Sequence, residues 1–192
     1  SAYIEQVDNG YYTTDEDGNE TFVPGDGKVY GIYVYGGLEE NLKLQEGNYI
    51  ITNANISYHT GALQVVGVSN IRIEVESTGN PVTPKAITSS EWKNINDELK
   101  YRLVQFESLK VVGGKDDENT DAYTMYAETP DGVRVNIRID SNVALKVTGI
   151  IKNKTWETFK DMTFTNVIGV IQPYYNDYQL MVMSLDDLGY QK

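Results

Sequence analysis

There is no cysteine among the 192 residues of this chain and only one histidine, His59. Without thiols there can be no disulfide, no zinc–thiolate site and no cysteine nucleophile. A single histidine in a turn, with neither an orienting partner nor a nucleophile nearby in sequence, makes no catalytic triad. Positive charge is scarce too: 16 Lys and Arg face 28 Asp and Glu, for a formal net charge of −12. Proteins that hold a phosphate backbone draw affinity from clustered cations, and no Lys/Arg cluster stands out here, so a polyanionic ligand is disfavoured. No stretch approaches the roughly 18 consecutive apolar residues of a membrane-spanning helix. Ser1 is not followed by a basic segment and an apolar core, so no signal peptide is read; a mature chain would already have lost one.

What is abundant is tyrosine, with 15 Tyr against 4 Phe and 2 Trp. Tyr and Thr favour pleated, half-exposed surfaces, while Asn, Asp and Gly punctuate turns. The ring of Tyr can be buried while its hydroxyl stays wet, which suits strand faces and barrel mouths. An all-β protein acting outside a cell fits this composition better than an enzyme interior.

Two segments read as copies of one β-hairpin. In the first, an alternating strand from Asn48 reaches Tyr58, turns at His59-Thr60-Gly61 and returns as Ala62 to Ser69. In the second, Thr163 to Gln172 leads into a turn at Pro173 to Asp177 and returns as Tyr178 to Ser184. Gln64 matches Gln179 and Ser69 matches Ser184 at one spacing, 115 residues (179 − 64; 184 − 69), and Ile56 and Ile171 share it. The spacing predicts two related β units in tandem.

Elsewhere the pattern is also mostly strand. Tyr3 to Val7, Tyr11 to Thr14, Glu20 to Val23, Val29 to Tyr35 and Ile71 to Val75 are candidates in the first half, with Leu38 to Gly47 a polar connector. In the second half Leu103 to Val112 is expected to end at Gly113-Gly114. Ala122 to Glu128, Val133 to Asp140 and Leu145 to Ile151 follow, and Lys152 to Asp161 is a polar excursion carrying Trp156 and Phe159. Between Val133 and Asp140 the apolar residues Val133, Val135, Ile137 and Ile139 alternate with polar ones, so one face is core and the other water. Residues 81–100 form a linker after the breakers at Ser77 to Pro84. One short helix is expected there. Thr88 and Glu91 have capping-box spacing, and Trp92, Ile95 and Leu99 fall on one docking stripe. The expected organisation is therefore a first unit over 1–80, the linker, and a second unit over 101–192.

Such a set of about five strands with a connector before the last hairpin suits an oligonucleotide/oligosaccharide-binding (OB) fold. The runs Tyr30-Gly31-Ile32-Tyr33-Val34-Tyr35-Gly36, Leu44-Gln45-Glu46-Gly47-Asn48-Tyr49 and Gly61-Ala62-Leu63-Gln64-Val65 carry a likeness. So does Tyr101 to Val111, which is similar to the opening strand of a next copy. With these runs the chain resembles the OB-like domains of Bacteroidetes secreted and surface lipoproteins and nuclease-associated OB domains. The resemblance implies two tandem OB-like antiparallel barrels joined by a linker with one short helix. It also implies a bacterial secreted, periplasmic or cell-surface location. Two departures stand out: no full opening strand precedes Tyr3, and extra residues lie at Lys152 to Asp161.

The candidate site is aromatic rather than catalytic. In an OB fold the ligand lies across the second and third strands and between the hairpin loops. That places Tyr33, Tyr35, Tyr58 and His59 of the first unit, and Tyr174, Tyr175 and Tyr178 of the second, at the expected barrel mouths. Tyrosine faces stack on sugar rings or nucleobases, and the same rings can instead cap barrel ends or pack between units. Asp15, Asp17 and Asn19 alternate like the start of a calcium loop, but Glu20 stands where such a loop needs Gly. No catalytic residue, metal ligand set or cofactor is expected. The function expected is non-catalytic binding or adhesion, with carbohydrate or protein the favoured partner. The alternatives are an accessory nucleic-acid-binding domain of a secreted nuclease, or a structural spacer.

Overall fold

A computed structural model describes residues 2–34, 47–52, 55–59, 62–66, 73–141, 155–184 and 186–189. The first half contributes β1 (Ala2–Val7), β2 (Tyr11–Thr14), β3 (Glu20–Val23), β4 (Val29–Val34), β5 (Tyr49–Thr52), β6 (Asn55–His59), β7 (Ala62–Val66) and β8 (Ile73–Ser77). After it come β9 (Lys85–Ala86) and α1 (Ser89–Lys93). The second half holds β10 (Leu103–Asp116), β11 (Tyr123–Glu128), β12 (Arg134–Ile139), β13 (Thr163–Tyr174) and β14 (Asp177–Val182). The expected strand over Leu145 to Ile151 lies outside the described residues, as does the expected connector over Leu38 to Gly47 except for Gly47 itself.

Five strands of the second half close on themselves in the order β10–β11–β12–β14–β13 and back to β10. This is the Greek-key connectivity of an OB barrel. Every pair is antiparallel except β12 with β14, which run parallel, a seam that an all-antiparallel expectation misses. Closure depends on β10 pairing twice. Leu103 to Lys110 pair with β13, and Lys110 to Asp116 pair with β11, with the register shifting between Val111 and Gly113. A bulge bends a strand and increases its twist, so one strand can serve both neighbours. The glycines expected to end this strand instead let it continue. A side chain on Gly114 would run into the Trp156 ring.

Alternation then fills the barrel. Val104, Leu109, Val111, Met125, Ala127, Val135, Ile137, Ile139, Val167, Ile171, Leu180 and Val182 all point inward with no exposed surface. Burying one such aliphatic side chain contributes about 1.5–3 kcal/mol. The polar excursion supplies the plug: its 3-10 turn Trp156–Phe159 buries Phe159, whose ring lies 6.1 Å from Tyr123 and 5.9 Å from Phe164. The capping box forms as expected: Thr88 accepts from the Glu91 amide and Glu91 accepts from the Thr88 amide. Yet α1 ends at Lys93, shorter than the stripe suggested, because Asn94, Asn96 and Asp97 favour local turns over helix. Ile95 and Leu99 reach the barrel core from non-helical backbone.

In the first half, β1, β4, β7 and β6 form one sheet, while β2–β3 and β5–β8 are separate two-stranded ribbons. The succession of antiparallel, parallel and antiparallel pairs along β1–β4–β7–β6 is that of β11–β12–β14–β13. The two hairpins also share a register. Ile56 pairs with Val65 and Ser57 with Gln64, as Ile171 pairs with Leu180 and Gln172 with Gln179. Among the described residues, however, no pairing closes these strands into a second ring. Ile56 is 61% exposed where its counterpart Ile171 is fully buried.

The halves meet over the outer face of β13 and β14. Ala62, Tyr101, Val170 and Met181 form a small core, flanked by Tyr3, Tyr33, Leu63 and Leu103. The polar groups there are paired across the seam. Tyr3 donates to Gln172 Oε1 at 2.6 Å, the Leu63 amide donates to the Tyr101 hydroxyl at 2.5 Å, and Arg102 donates to the Val29 carbonyl at 3.1 Å. Glu5 Oε1 accepts from the Leu103 amide at 2.7 Å and sits 3.1 Å from Arg102 Nε, an ion contact without hydrogen-bond alignment. Burial pushes the Tyr3 phenol far above its usual range, so it stays a neutral donor. Tyr101 itself takes a left-handed φ of 61° while buried.

Two substitutions test this packing. An added Cβ at Gly31 would stand 2.5 Å from the Tyr101 carbonyl oxygen, whereas one at Gly113 meets nothing closer than 3.5 Å. Gly31→Ala should therefore cost about 1–3 kcal/mol in urea denaturation, from overpacking against backbone, and Gly113→Ala clearly less. The Tyr123 hydroxyl is buried without a partner. Tyr123→Phe should leave stability unchanged or raise it by about 1 kcal/mol, since it removes an unpaid desolvation cost.

Candidate functional site

The outer face of β11 and β12 is built by the residues that alternate with the core. Thr124 stands opposite Arg138, Tyr126 opposite Asn136, and Glu128 opposite Arg134. Diagonal neighbours also touch across such a pair, and the Arg134 guanidinium lies 3.9 Å from the Tyr126 ring centroid. This cation–π contact uses the ring face while leaving the guanidinium N–H groups at its rim free to donate. Trp92 of α1 closes one end. Its indole N–H donates to the Arg134 carbonyl at 3.0 Å, and its ring meets Phe106 edge-on at 5.4 Å.

The other wall comes from the start of β14. Asn136 Nδ2 donates to Asp177 Oδ2 at 3.0 Å, and Asp177 Oδ1 accepts from the Tyr178 amide at 2.8 Å. That bond fixes the Asn136 amide, because flipping it would set two acceptors against each other. Its Oδ1 is left buried and unpartnered, a debt of about 1–3 kcal/mol. Between these walls is an open cavity of about 460 Å³, lined by Trp92, Tyr126, Arg134, Asn136, Asp177 and Tyr178.

The lining carries one cation, Arg134, and one anion, Asp177, so its formal charges cancel. The neighbouring Arg138 adds nothing for a ligand. Its two terminal nitrogens donate to Asp117 at 2.9 and 2.7 Å, and Nη1 also reaches Thr124 Oγ1 at 3.3 Å. This pairing holds the Asp117 carboxyl below its usual range.

Asp177 also belongs to the β13–β14 hairpin tip. Tyr174 pairs with Asp177 across a two-residue turn, and the Tyr174 and Tyr175 rings meet edge-on at 4.7 Å. They are 50% and 66% exposed. Tyr175 holds a φ of 54°, a region an aromatic residue rarely takes.

Of the seven aromatic-turn candidates, the structure gathers Tyr174, Tyr175 and Tyr178 around Asp177. Tyr33 is instead used between the halves, its ring 5.1 Å from Tyr3. Tyr58 is 76% exposed on β6 and His59 ends the same strand opposite Ala62. Tyr35 lies outside the described residues. Sequence reasoning missed Trp92, Tyr126, Arg134, Asn136 and Asp177. For Arg134 and Asn136 the available signal was the alternation over Val133 to Asp140, which sets both on the outer face; nothing local marked Trp92, Tyr126 or Asp177 as their neighbours.

Asp15 makes a turn. Its Oδ1 accepts from the Asp17 and Asn19 amides at 3.0 and 2.8 Å. Among the described residues no group of three or more His, Cys, Asp or Glu is placed to hold a metal ion.

No family model matches the chain, and no curated protein matches it. One solved structure, titled "Structure of murine DNA binding protein bound with ds DNA", is similar over 94% of each chain at 12% identity, with a TM-score of 0.36. A likeness that distant carries no argument about ligand or function.

The Asp117–Arg138 pair has a pH signature. A carboxyl whose folded value is lowered stabilises the fold fully above its unfolded value, and that contribution is lost as pH falls through the folded value. Wild type should therefore exceed Asp117→Asn in urea midpoint at neutral pH, with the gap closing in acid. A gap independent of pH would show that the pair is not the cause.

Proposed function

We propose that this chain is a non-catalytic binding module that holds a neutral, polyhydroxylated ligand, a carbohydrate, in the groove on the outer face of β11 and β12. The observation that carries this reading is the charge-balanced lining. Arg134 offers donors, Asp177 offers acceptor lone pairs, and Trp92, Tyr126 and Tyr178 offer aromatic surface. Sugar hydroxyls both donate and accept, and sugar C–H faces pack on aromatic rings, so each lining group finds a use. A phosphate backbone would meet Asp177 at close range and an acidic molecule at long range. The exposed Tyr174 and Tyr175 sit at the hairpin tip next to the lining residue Asp177, where a second sugar ring would stack.

Acid/base chemistry needs two groups with separated proton affinities beside a reacting atom. The lining offers one carboxylate, already engaged with Asn136 and the Tyr178 amide, and no nucleophile. Binding without turnover is the reading that uses what is there. As part of the same proposal, supported by the sequence resemblance to Bacteroidetes surface and secreted proteins, such a module works on or outside a bacterial cell with its groove open to glycans.

Titration calorimetry against a panel of neutral oligosaccharides, with single-stranded DNA run in parallel, tests the proposal. The expected result is oligosaccharide binding that changes little with salt. Arg134→Ala, and separately Tyr174→Ala combined with Tyr175→Ala, should each weaken it by about tenfold, since one ring stack is worth about 1–3 kcal/mol. DNA binding that falls steeply with salt would replace this reading with the accessory nucleic-acid one. Binding of neither would leave a structural spacer.

A further inference from the structure

The β2–β3 ribbon is an addition that the fold does not need. In the second half the antiparallel pair β11–β12 is joined by five residues, 129–133. The topologically equivalent pair β1–β4 is joined by residues 8–28, and β2 and β3 lie within that connection. Nearly all of the ribbon's residues are exposed, and only Val23, at its end, is half-buried. An isolated two-stranded hairpin is marginal in water.

Its base is nonetheless held firmly. The Asp8 carboxylate accepts from the Gly10 amide at 3.0 Å and the Asp26 amide at 3.3 Å, and Asp8 exchanges backbone bonds with Lys28 and Gly27 at 2.8 and 3.0 Å. Side chains at Gly10 or Gly25 would collide with backbone at this clamp. The far end is shaped by Asp15, which gathers the Asp17 and Asn19 amides, and by Gly18 at a φ of 83°. The result is an arm with a fixed root, a formed tip and no core beneath it.

What the arm displays is aromatic and acidic. Tyr12 stands opposite Phe22 with rings 5.1 Å apart, and Tyr11, Tyr12 and Phe22 are 60%, 69% and 48% exposed. Residues 8–27 contain Asp8, Asp15, Glu16, Asp17, Glu20 and Asp26 and no Lys or Arg, so they carry −6 of the chain's formal −12. Among the described residues β2 and β3 pair only with each other, which leaves an open backbone edge on each.

We infer that this arm docks a basic, extended segment of a partner protein, added as a third strand along an open edge with its apolar side chains against Tyr12 and Phe22. Charge selects among the possible occupants. A nucleic acid or an anionic lipid surface shares the arm's sign, and a second copy of this chain would bring another −12. A cationic strand is attracted by the acids and supplies the missing backbone bonds, with alternate side chains reading the aromatic face.

The test uses the full chain and a short peptide of alternating Lys and Val, with the same peptide carrying Glu for Lys as control. Binding is measured by titration calorimetry, and its location by amide shifts in NMR spectra. The expected result is that the Lys–Val peptide moves the amides of Tyr11–Thr14 and Glu20–Val23, with affinity that falls as salt rises and exceeds that of the Glu–Val peptide by at least about tenfold. Tyr12→Ser with Phe22→Ser should lower affinity by about tenfold without changing the barrel's thermal transition. Because that pair of changes also loosens the ribbon, Glu16→Lys with Glu20→Lys serves as a second variant. Neither carboxylate takes part in the clamp or the tip, so the ribbon should persist while its preference for the Lys–Val peptide disappears. Equal binding of both peptides, Lys–Val binding that leaves the arm amides unmoved, or no binding at all would overturn the inference. Self-association abolished by Tyr12→Ser with Phe22→Ser would also overturn it, by making a second copy the occupant.

Discussion

β10 has to serve two neighbours, and the barrel exists because it can. A strand that continued straight from its pairing with β13 would leave one edge of β11 unpaired and the ring open. The shift between Val111 and Gly113 turns the chain at the point where one pairing hands over to the other. The same stretch makes room for its own reinforcement, because Gly114 offers the bare surface on which Trp156 lies. Phe159, from the same turn, then seals the barrel end against Tyr123 and Phe164. Bend, glycine and plug form one device, and the inward aliphatic side chains depend on it for their enclosure.

Once closed, the barrel has two kinds of outer surface. Over β13 and β14 the outward residues Val170, Gln172 and Met181 are covered by the first half. Over β11 and β12 the outward residues stay open, and there Tyr126, Arg134 and Asn136 form the groove. Asp177 lies where the two surfaces meet. It belongs to the parallel neighbour of β12, and it reaches Asn136 across that seam, where the pairing of Ile137 with Leu180 holds the two strands side by side. The charge balance of the groove is therefore a consequence of strand order.

The first half shares hairpin register and strand succession with the second but spends its residues differently. Its hairpin leaves Ile56 bare where Ile171 is buried, and Tyr33 goes into the seam. The connection that is a short turn in the second half becomes a clamped acidic ribbon in the first. Likeness of topology between the halves thus carries no likeness of use.

Local pattern alone determined much of this. The period-two alternation over Val133 to Asp140, the 115-residue spacing of the hairpins and the Thr88–Glu91 capping box depend on near neighbours or on a single strand's two faces, and each appears in the structure where the sequence placed it. Features that rest on distant residues were not legible. Gly113 and Gly114 read as a stop because the Trp156 ring that covers Gly114 is some forty residues away in sequence. The aromatic rim at Tyr174, Tyr175 and Tyr178 could be marked from its turn, but Arg134, Asn136 and Asp177 become a site only when a parallel pairing sets them side by side. Sequence decides which face of a strand each side chain takes. Tertiary structure decides which faces meet, because strand order is a property of the closed sheet and of no single strand within it.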